Sequence, residues 1–359
     1  MEKKKVLLGM SGGVDSSVSA ILLKNQGYEV IGVTMQLWSN PKDTGCTSLE
    51  AVNDAKKVCT QLGIEHHSIN SMKDFQKYVI DDFICNYSEC KTPNPCIECN
   101  KHLKFGVMYN LAKELGADYI ATGHYAKVEF CEKYKKVVLK KSDSISKDQS
   151  YVLYSINKDI LPHLLFPLSK FDNKDEIRKI ARENNLEIAD KPDSEDICFI
   201  PDGDYKKFLE ENSNITQKSG NIVDREGKVL GKHVGLYKYT IGQRKGLGIA
   251  HPVPLYVLDF NISKNELIVG SQEELFEKEI IVNDVNWLAI DDCNEPINVQ
   301  TKIRYAAKPV NSTIYKIDEK TVRVVFDEPV RGATPGQSAV FYDNTIVLGG
   351  GKIWQIVRK

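Results

Sequence analysis

The stretch LLGMSGGVDSSVSAILL, residues 7–23, decides how the first half of this chain folds. Apolar runs on both sides of its paired glycines predict a strand over residues 5–9, a turn over residues 11–13 and a helix from about Asp15. A strand, loop and helix in this order direct backbone N–H groups at one point, which favours an anion there. A tight turn that merely requires glycine is the alternative interpretation.

The loop reads Ser-Gly-Gly-Val-Asp-Ser-Ser, without the lysine of a Walker loop or the third glycine of a dinucleotide-binding fingerprint. Its glycines allow the chain to approach a pyrophosphate, and Ser11, Ser16 and Ser17 add hydroxyl donors. Asp15 can lie near a Mg²⁺ bound to that phosphate. The loop resembles the PP-loop of ATP pyrophosphatases, which implies an enzyme that cleaves ATP to AMP and pyrophosphate while adenylating a substrate.

The composition limits the possible classes of protein. With 359 residues, 42% of them hydrophobic, the chain can form two or three domains with a substantial core. It has no apolar run of about 18 residues and only a short apolar segment after its first lysines, so we expect a soluble, cytoplasmic protein without a membrane partner. The net charge of −1 argues against indiscriminate binding of nucleic acid, so any RNA site must be local.

The pattern of strands and helices changes along the chain. Up to about residue 205, strands alternate with helices, including one strand over residues 118–126, which predicts a doubly wound parallel α/β sheet. From about Gly220 onward, glycine and period-two strands dominate. We therefore expect a catalytic domain at 1–205, a small β-rich linking domain at 206–278 and a β-barrel-like C-terminal domain at 279–359.

Nine cysteines in a cytosolic chain are more often buried, metal-binding or catalytic than paired in structural disulfides. The stretch TPNPCIECN places Cys96 and Cys99 on a loop just before a helix, whose dipole lowers a thiol pKa and favours a nucleophilic thiolate. The alternative is a zinc site in which Cys85 and Cys90 complete a four-thiolate set.

Cys198 lies far away in sequence, in SEDICFIPDGDY, where a half-buried structural cysteine is the simple interpretation. A PP-loop, a Cys-x-x-Cys pair and a distant single cysteine together indicate adenylation coupled to sulfur transfer. In such chemistry one thiol carries the sulfur and another resolves a disulfide.

Several spaced motifs extend the resemblance over nearly the whole chain: GMSGGVDSSV, TPNPCIECNKHLKFG, ATGHYA, KDQSYVLY, SEDICFI, YTIGQRKGLG and GQSAVFY. In this order they resemble the bacterial tRNA-specific 2-thiouridylase family. The resemblance implies a tRNA-uridine 2-sulfurtransferase that uses ATP to replace O2 of the wobble uridine with sulfur. It also implies a partner that delivers a persulfide, namely a sulfur-relay protein or a cysteine desulfurase.

The same resemblance assigns roles to residues of this chain. It implies that Cys99 is the nucleophile and that Cys198 carries the persulfide. The implied contacts with ATP are Gly9, Met10, Ser11, Gly12, Gly13, Val14, Asp15, Ser16, Met35 and Gly123. The implied contacts with the target base are Asn94, Pro95 and Cys96. The implied contacts with tRNA are His124, Lys147, Asp148, Gln149, Arg304, Tyr305 and Gln337.

The side-chain chemistry of some of these residues suits RNA binding. Arg304 can pair with a phosphate and Tyr305 can stack on an exposed base, whereas His124 alone would more often be a core or turn histidine. A run of lysines precedes the SKDQS stretch, and it is interpreted either as phosphate contacts or as the solvated face of a hairpin. Its members are Lys133, Lys135, Lys136, Lys140 and Lys141.

Cys96 departs from the family pattern, in which this position is commonly an aspartate. Cys96, Cys99 and Cys198 could then hold a [4Fe-4S] cluster with one iron open for sulfide, as in related tRNA-thiolating enzymes. Alternatively, Cys96 is a small apolar replacement beside the base, and a two-cysteine persulfide relay operates.

Three other functions remain open at this point. A PP-loop ligase that forms an amide or argininosuccinate would need no thiols. A zinc-dependent RNA-binding module would not consume ATP. A lysidine-forming enzyme would modify tRNA without adding sulfur.

Overall fold

The computed structural model describes residues 3–38, 49–191, 197–216 and 218–358. Residues 194–196, which begin the SEDICFI stretch, lie outside this part. The first residues of the predicted catalytic domain and the last residue of the predicted C-terminal domain also lie outside it. The helices are α1 (Val14–Asn25), α2 (Leu49–Leu62), α3 (Met72–Phe75), α4 (Asp81–Ser88), α5 (Pro95–Cys99), α6 (Met108–Glu114), α7 (Lys174–Glu183) and α8 (Tyr205–Asn212). The π-helical segments Gln76–Ile80 and Asn100–Val107 join α3 to α4 and α5 to α6.

The strands belong to three sheets. They are β1 (Lys5–Gly9), β2 (Glu29–Gln36), β3 (Glu65–Asn70), β4 (Tyr119–Ala121), β5 (Ala126–Cys131), β6 (Lys136–Lys141), β7 (Leu164–Leu165), β8 (Gly220–Val223), β9 (Val229–His233), β10 (Tyr256–Asn261), β11 (Glu266–Gly270), β12 (Phe276–Trp287), β13 (Ile297–Lys302), β14 (Val310–Lys316), β15 (Val322–Arg331), β16 (Ser338–Asp343) and β17 (Ile346–Ile356).

The first sheet has five parallel strands in the order β3-β2-β1-β4-β7. Apolar residues of β1 alternate between its two faces: Leu7 packs in one buried cluster, whereas Val6 and Leu8 pack in another. Both faces are therefore covered, as a parallel sheet requires. This confirms the predicted doubly wound α/β architecture.

The other two sheets form the β-rich half. The middle sheet has four strands in the order β10-β11-β8-β9. The last six strands run in the order β12-β15-β14-β13-β16-β17, and a further pairing of β12 with β17 closes them into an antiparallel barrel. The predicted small β-rich unit and C-terminal barrel are confirmed, while the exact domain boundaries stay a prediction.

One predicted strand was wrong. Residues 118–126 do not form a single strand, because β4 ends at Ala121 in the parallel sheet and β5 begins at Ala126 in another. The β5–β6 hairpin attaches to barrel strand β17 through the pairing of Lys140 with Ile346. Gly123 turns the chain between the two sheets.

The parallel sheet and the barrel share a core. The cluster that contains Leu7 also contains Leu288, Val340, Tyr342 and Val347 from the barrel. Among the described residues, no helix is both long and apolar enough to cross a membrane.

Candidate active site

The loop between β1 and α1 has the backbone geometry that was predicted for an anion-binding nest. Gly12 has φ +72°, and a Cβ there would lie 2.5 Å from the carbonyl oxygen of Ala51, so only glycine fits. Gly13 precedes α1 with no side-chain cap, which leaves the first N–H groups of the helix for a ligand. The loop therefore presents an uncapped helix N-terminus at the carboxyl end of β1.

The serine hydroxyls of the loop have different surroundings. The Ser11 and Ser16 hydroxyls lie 3.2 Å apart at the loop, and the Ser11 N–H also donates to Ser16 Oγ. Ser17 is fully buried and donates to the Gly13 carbonyl at 2.9 Å. Ser17 thus stabilises the first turn of α1, whereas Ser11 lies exposed at the loop.

Asp15 is held by two residues that sequence reasoning missed. Tyr125 donates its hydroxyl to Asp15 Oδ1 at 2.9 Å, and Lys174 Nζ, at the start of α7, lies 2.7 Å from Oδ2. Tyr125 lies inside the ATGHYA motif, but nothing in the sequence relates Lys174 to the loop. A carboxylate has further lone pairs beyond these two bonds, so Asp15 fits a Mg²⁺ that keeps most of its ligands from phosphate and water.

Gly123 and Met35 lie at neighbouring strand ends. A Cβ on Gly123 would lie 3.1 Å from atoms of Asp15 and Ser16, so the turn after β4 packs directly against α1. Met35, near the end of β2, packs against the apolar cluster that contains Cys99. In an open parallel sheet, the carboxyl ends of adjacent strands are where ligands bind.

The Cys-x-x-Cys segment is helical, not a loop before a helix as predicted. Asn94 caps α5 by accepting from the Cys96 N–H at 3.2 Å, and Pro95 is its first residue. Proline fits this position because its fixed φ suits a helix start. As a result, Cys96 and Cys99 occur one turn apart in α5, where Cys96 is exposed and Cys99 is 7% exposed.

A barrel loop holds the segment that leads into α5. Gln337 donates through Nε2 to the Thr92 carbonyl at 2.8 Å, and the Thr92 N–H donates to the Pro335 carbonyl at 2.9 Å. A Cβ on Gly336 would lie 2.8 Å from the Thr92 nitrogen. Gln337 therefore positions the segment that leads into α5, where the target-base contacts were predicted.

Cys99 and Cys198 contact the same apolar cluster, which also contains Leu37, Phe83 and Phe199. Cys198 is half-buried within it. No disulfide links the cysteines of the described residues. The fold thus brings together two thiols that lie far apart in sequence.

Neither predicted metal set is assembled in the described part of the chain, where no three His, Cys, Asp or Glu side chains lie close enough to hold a metal. Of the proposed zinc ligands, Cys85 is exposed, and Cys90 packs against the core of the middle sheet. Burial raises the pKa of the Cys90 thiol to about 11. A [4Fe-4S] cluster held by Cys96, Cys99 and Cys198 stays a prediction.

The predicted tRNA contacts near β4 organise the loops around the nest. His124 Nδ1 lies 2.8 Å from the Thr122 hydroxyl, and burial lowers the pKa of His124 well below its ordinary value, so the ring is neutral. Gln149 accepts from the Tyr125 N–H at 3.0 Å. Asp148 is buried and accepts hydrogen bonds from the Ser142 and Ser150 N–H groups and the Ser150 hydroxyl, while Lys147 is half-buried beside it.

The barrel contributes Arg304 and Tyr305. Arg304 Nη2 donates to the Ile241 carbonyl at 3.2 Å, to the Gly332 carbonyl and to the Thr334 hydroxyl. This guanidinium therefore ties the linking unit to the barrel. Tyr305 remains 44% exposed at the same edge.

Most lysines of the predicted basic run form ion pairs on the hairpin and the barrel. Lys136 lies 3.3 Å from Asp291, and Lys140 lies 2.5 Å from Glu129. Lys133 and Lys135 likewise pair with acidic residues. These contacts favour the solvated-hairpin interpretation for all of the run except Lys141.

Comparisons with known proteins agree with this architecture. Residues 4–202 match the family described as "tRNA methyl transferase HUP domain", residues 206–271 the "tRNA methyl transferase PRC-barrel domain", and residues 277–353 the "Aminomethyltransferase beta-barrel domain". Among solved structures, a U34-tRNA thiolase from Methanococcus maripaludis aligns with 60% of this chain and 69% of its own, at 22% identity and a TM-score of 0.37.

Curated relatives match over nearly their full length. The tRNA-specific 2-thiouridylase MnmA of Clostridioides difficile (strain 630) is 50% identical over 354 residues, 98% of each chain. The protein of the same name from Clostridium botulinum (strain Alaska E43 / Type E3) is 50% identical over 362 aligned positions, 99% of each chain. With this identity over nearly the whole length, the chain belongs to the tRNA-specific 2-thiouridylase family of enzymes.

Proposed function

We propose that the protein uses ATP to replace O2 of the wobble uridine of tRNA with sulfur. The observation that carries the proposal is the shared apolar cluster of Met35, Cys99 and Cys198. Met35 lies near the end of β2, next to the strand that leads into the nucleotide loop. Activation by ATP and attack by sulfur can therefore occur in one cleft, which we place in the cytoplasm, where thiols stay reduced.

The loop from Gly9 to Ser16 would hold the ATP phosphates, with Met35 and Gly123 beside the adenosine. Asp15 would hold the Mg²⁺, which when bound neutralises charge on the transferred phosphate. Lys174 and Tyr125 keep the Asp15 carboxylate in one orientation. The uncapped N–H groups at the start of α1 are available to the pyrophosphate, and the backbone would not need to rearrange to bind it.

The target uridine must leave its stack, because O2 is inaccessible in a stacked base. Its proposed site is the start of α5, at Asn94, Pro95 and Cys96, beside the exposed ring of Tyr305. There, O2 attacks the α-phosphate of ATP, the bond to the β-phosphate oxygen breaks and pyrophosphate leaves. The product is a uridine adenylated at O2.

Sulfur enters in the second half-reaction. The terminal sulfur of a persulfide on Cys198 attacks C2 and AMP leaves with the oxygen. The Cys99 thiolate then attacks Sγ of Cys198, and the S–S bond breaks, so its electron pair stays on the sulfur of 2-thiouridine. A Cys99–Cys198 disulfide results, which an external dithiol reduces. If Cys99 acts first, it releases hydrosulfide, which attacks C2 and leaves the same disulfide.

The test incubates the protein with unmodified tRNA, ATP, Mg²⁺ and a persulfide donor and measures pyrophosphate, AMP and 2-thiouridine, the last two by mass spectrometry. We expect Cys198→Ser to adenylate tRNA and release pyrophosphate without forming 2-thiouridine, because AMP leaves only when sulfur attacks C2. Cys99→Ser should likewise release pyrophosphate without forming 2-thiouridine. Cys131→Ser, on β5 away from the cluster, is the matched control and should behave as the parent protein. Lysidine in the digest, no AMP release on tRNA, or normal thiolation by Cys198→Ser would each contradict the proposal.

A further inference from the structure

Lys302, at the end of β13, is a half-buried lysine without an anionic partner in the described part of the chain. Its ammonium there has no hydrogen bond or ion pair, and it lies 5.6 Å from the ring centre of Tyr151 and 5.4 Å from that of Tyr305. Aromatic faces attract a cation, but they do not accept its N–H bonds in the way that an anionic oxygen does. Three donors therefore lie beside the exposed edge of Tyr305 with no acceptor.

A second lysine increases the positive charge at this point. Lys141, at the end of β6, lies 4.3 Å from the ring centre of Tyr342 and donates to the Asn344 carbonyl. Burial lowers the pKa of Lys302, and the nearby charge of Lys141 lowers it further, while Asp148 raises it. Asp148 is the acidic residue that acts on both lysines.

Asp148 does not satisfy these ammonium groups. Its carboxylate oxygens accept from the Ser142 N–H at 3.0 Å, the Ser150 N–H at 3.1 Å and the Ser150 hydroxyl at 2.8 Å. The group of Lys141, Lys302 and Asp148 thus has one positive charge in excess. A partly buried site of this kind favours a singly charged anion.

The site adjoins the proposed base-binding segment. Burial raises the pKa of the Tyr305 phenol, and the charges of Asp148 and Cys96 raise it further, so Cys96 lies near the ring whose centre is 5.4 Å from the Lys302 ammonium. Arg304, the neighbouring cation, is already bonded to Ile241, Gly332 and Thr334. Arg304 Nε has no hydrogen-bond partner among the described residues but is buried, whereas the unpartnered donors of Lys302 lie beside the exposed ring of Tyr305.

We propose that Lys302, supported by Lys141, binds a backbone phosphate of the tRNA next to the target uridine. A phosphodiester carries the single negative charge that the site lacks. Tyr305 would stack on a base on the other side of the same nucleotide step. The proposal rests on the proposed function, because it assumes tRNA as the substrate.

The experiment measures the Kd of an unmodified anticodon stem-loop as a function of salt concentration. One lost phosphate contact lowers the slope of log Kd against log salt by about 0.7 to 1 and weakens binding roughly fivefold at ~0.1 M salt. We expect this change for Lys302→Gln and not for Lys302→Arg. Lys302 lies beside the start of β14, and Lys320 lies in the exposed turn after the end of β14. Lys320→Gln therefore removes the same charge far from the site and should leave the slope unchanged.

A second arm identifies the phosphate. Two stem-loops each carry one neutral methylphosphonate, either before or after the target uridine. The parent protein should bind one of the two more weakly than the unmodified stem-loop. Lys302→Gln should bind that same stem-loop as well as it binds the unmodified one. An unchanged slope in Lys302→Gln, or a loss of ATP affinity in place of tRNA affinity, would overturn the inference. Absence of tRNA thiolation by the parent protein would instead refute the proposed function.

Discussion

The Asp15 carboxylate, in the uncapped first turn of α1, accepts hydrogen bonds from the Lys174 ammonium and the Tyr125 hydroxyl. These bonds fix the carboxylate at the start of α1, where we propose that the ATP phosphates bind. The position of Asp15 also explains the need for glycine at position 123, since any side chain there would displace Asp15. Tyr125, Lys174 and Gly123 therefore position the Asp15 carboxylate together.

Replacing Asp15 by asparagine should lower tRNA-dependent AMP release by roughly 100-fold, because the amide keeps the shape but loses the charge at the metal-phosphate end. The affinity for tRNA should be unchanged. AMP release and the Kd of the stem-loop are measured on the same preparation.

The matched control for this prediction is Asp118→Asn. Asp118 makes comparable bonds, to Lys4 Nζ at 2.9 Å and to the Lys5 N–H at 2.8 Å, at the opposite edge of the same sheet. The Asp118→Asn variant should release AMP at the rate of the parent protein. Equal activity of Asp15→Asn and Asp118→Asn would refute the role of Asp15.

Cys96→Ala should retain 2-thiouridine formation from a persulfide donor to within about threefold, because the described side chains do not group Cys96 with other metal ligands. Protein purified without oxygen should lack the broad visible absorbance of thiolate-to-iron charge transfer. An iron-dependent absorbance that Cys96→Ala abolishes, together with loss of thiolation, would support the cluster-based route instead.

At the scale of elements, α5 is tied to the barrel by an ion-pair network. Glu98, between the two cysteines of α5, lies 2.9 Å from Lys352 of β17 and 3.5 Å from His102. Lys352 also lies 3.5 Å from Asp82 in α4. The last barrel strand thus fixes the helix that carries Cys99.

The pKa values of Glu98 and Lys352 are shifted by this ion-pair network. Burial alone would raise the pKa of Glu98, but the hydrogen bond from His102 and the charge of Lys352 outweigh burial and lower the pKa from 4.5 to about 2. Glu98 and Asp82 raise the pKa of Lys352 despite its burial. The ionised pair is therefore the stable form at neutral pH.

Glu98→Gln should lower the free energy of unfolding at pH 7 by about 3 kcal/mol, the equivalent of the shift from 4.5 to about 2. Because the pKa of Glu98 is lower in the folded than in the unfolded protein, its carboxylate stabilises the folded state fully above pH 4.5. This stabilisation is lost as the pH falls toward 2. The difference between parent and variant should therefore shrink by about 1 kcal/mol between pH 7 and pH 3.5. Denaturant titrations at both values measure it, and a pH-independent difference would contradict the assignment.

The sequence predicted the elements that depend on local pattern. The loop, the alternation of strands and helices and the β-rich second half follow from glycine positions and apolar periodicity. Lys174 was missed because it lies 159 residues from Asp15. Lys302 was missed because an isolated lysine at a strand end has no local signal, and the helical position of Cys96 depended on the cap by Asn94.

At the scale of the whole molecule, the catalytic sheet and the barrel are coupled. The β5–β6 hairpin leaves the first half of the chain and extends the barrel sheet at β17. Gln337 and Lys352 then reach back from the barrel to the segment around Cys99. A tRNA held by the barrel would therefore act directly on the elements that carry the proposed base site and the proposed nucleophile.

A fragment of residues 1–278, which lacks the predicted C-terminal domain, should melt more than ~10 °C below the full chain. The fragment would expose the residues that pack against four fully buried side chains of the barrel, namely Leu288, Val340, Tyr342 and Val347. Four such side chains contribute about 6 to 12 kcal/mol. Calorimetry of the fragment, alone and with residues 279–359 added in trans, measures the loss and its recovery. A fragment that melts at the temperature of the full chain would show that the catalytic sheet folds independently, and the coupling through this core would then be wrong.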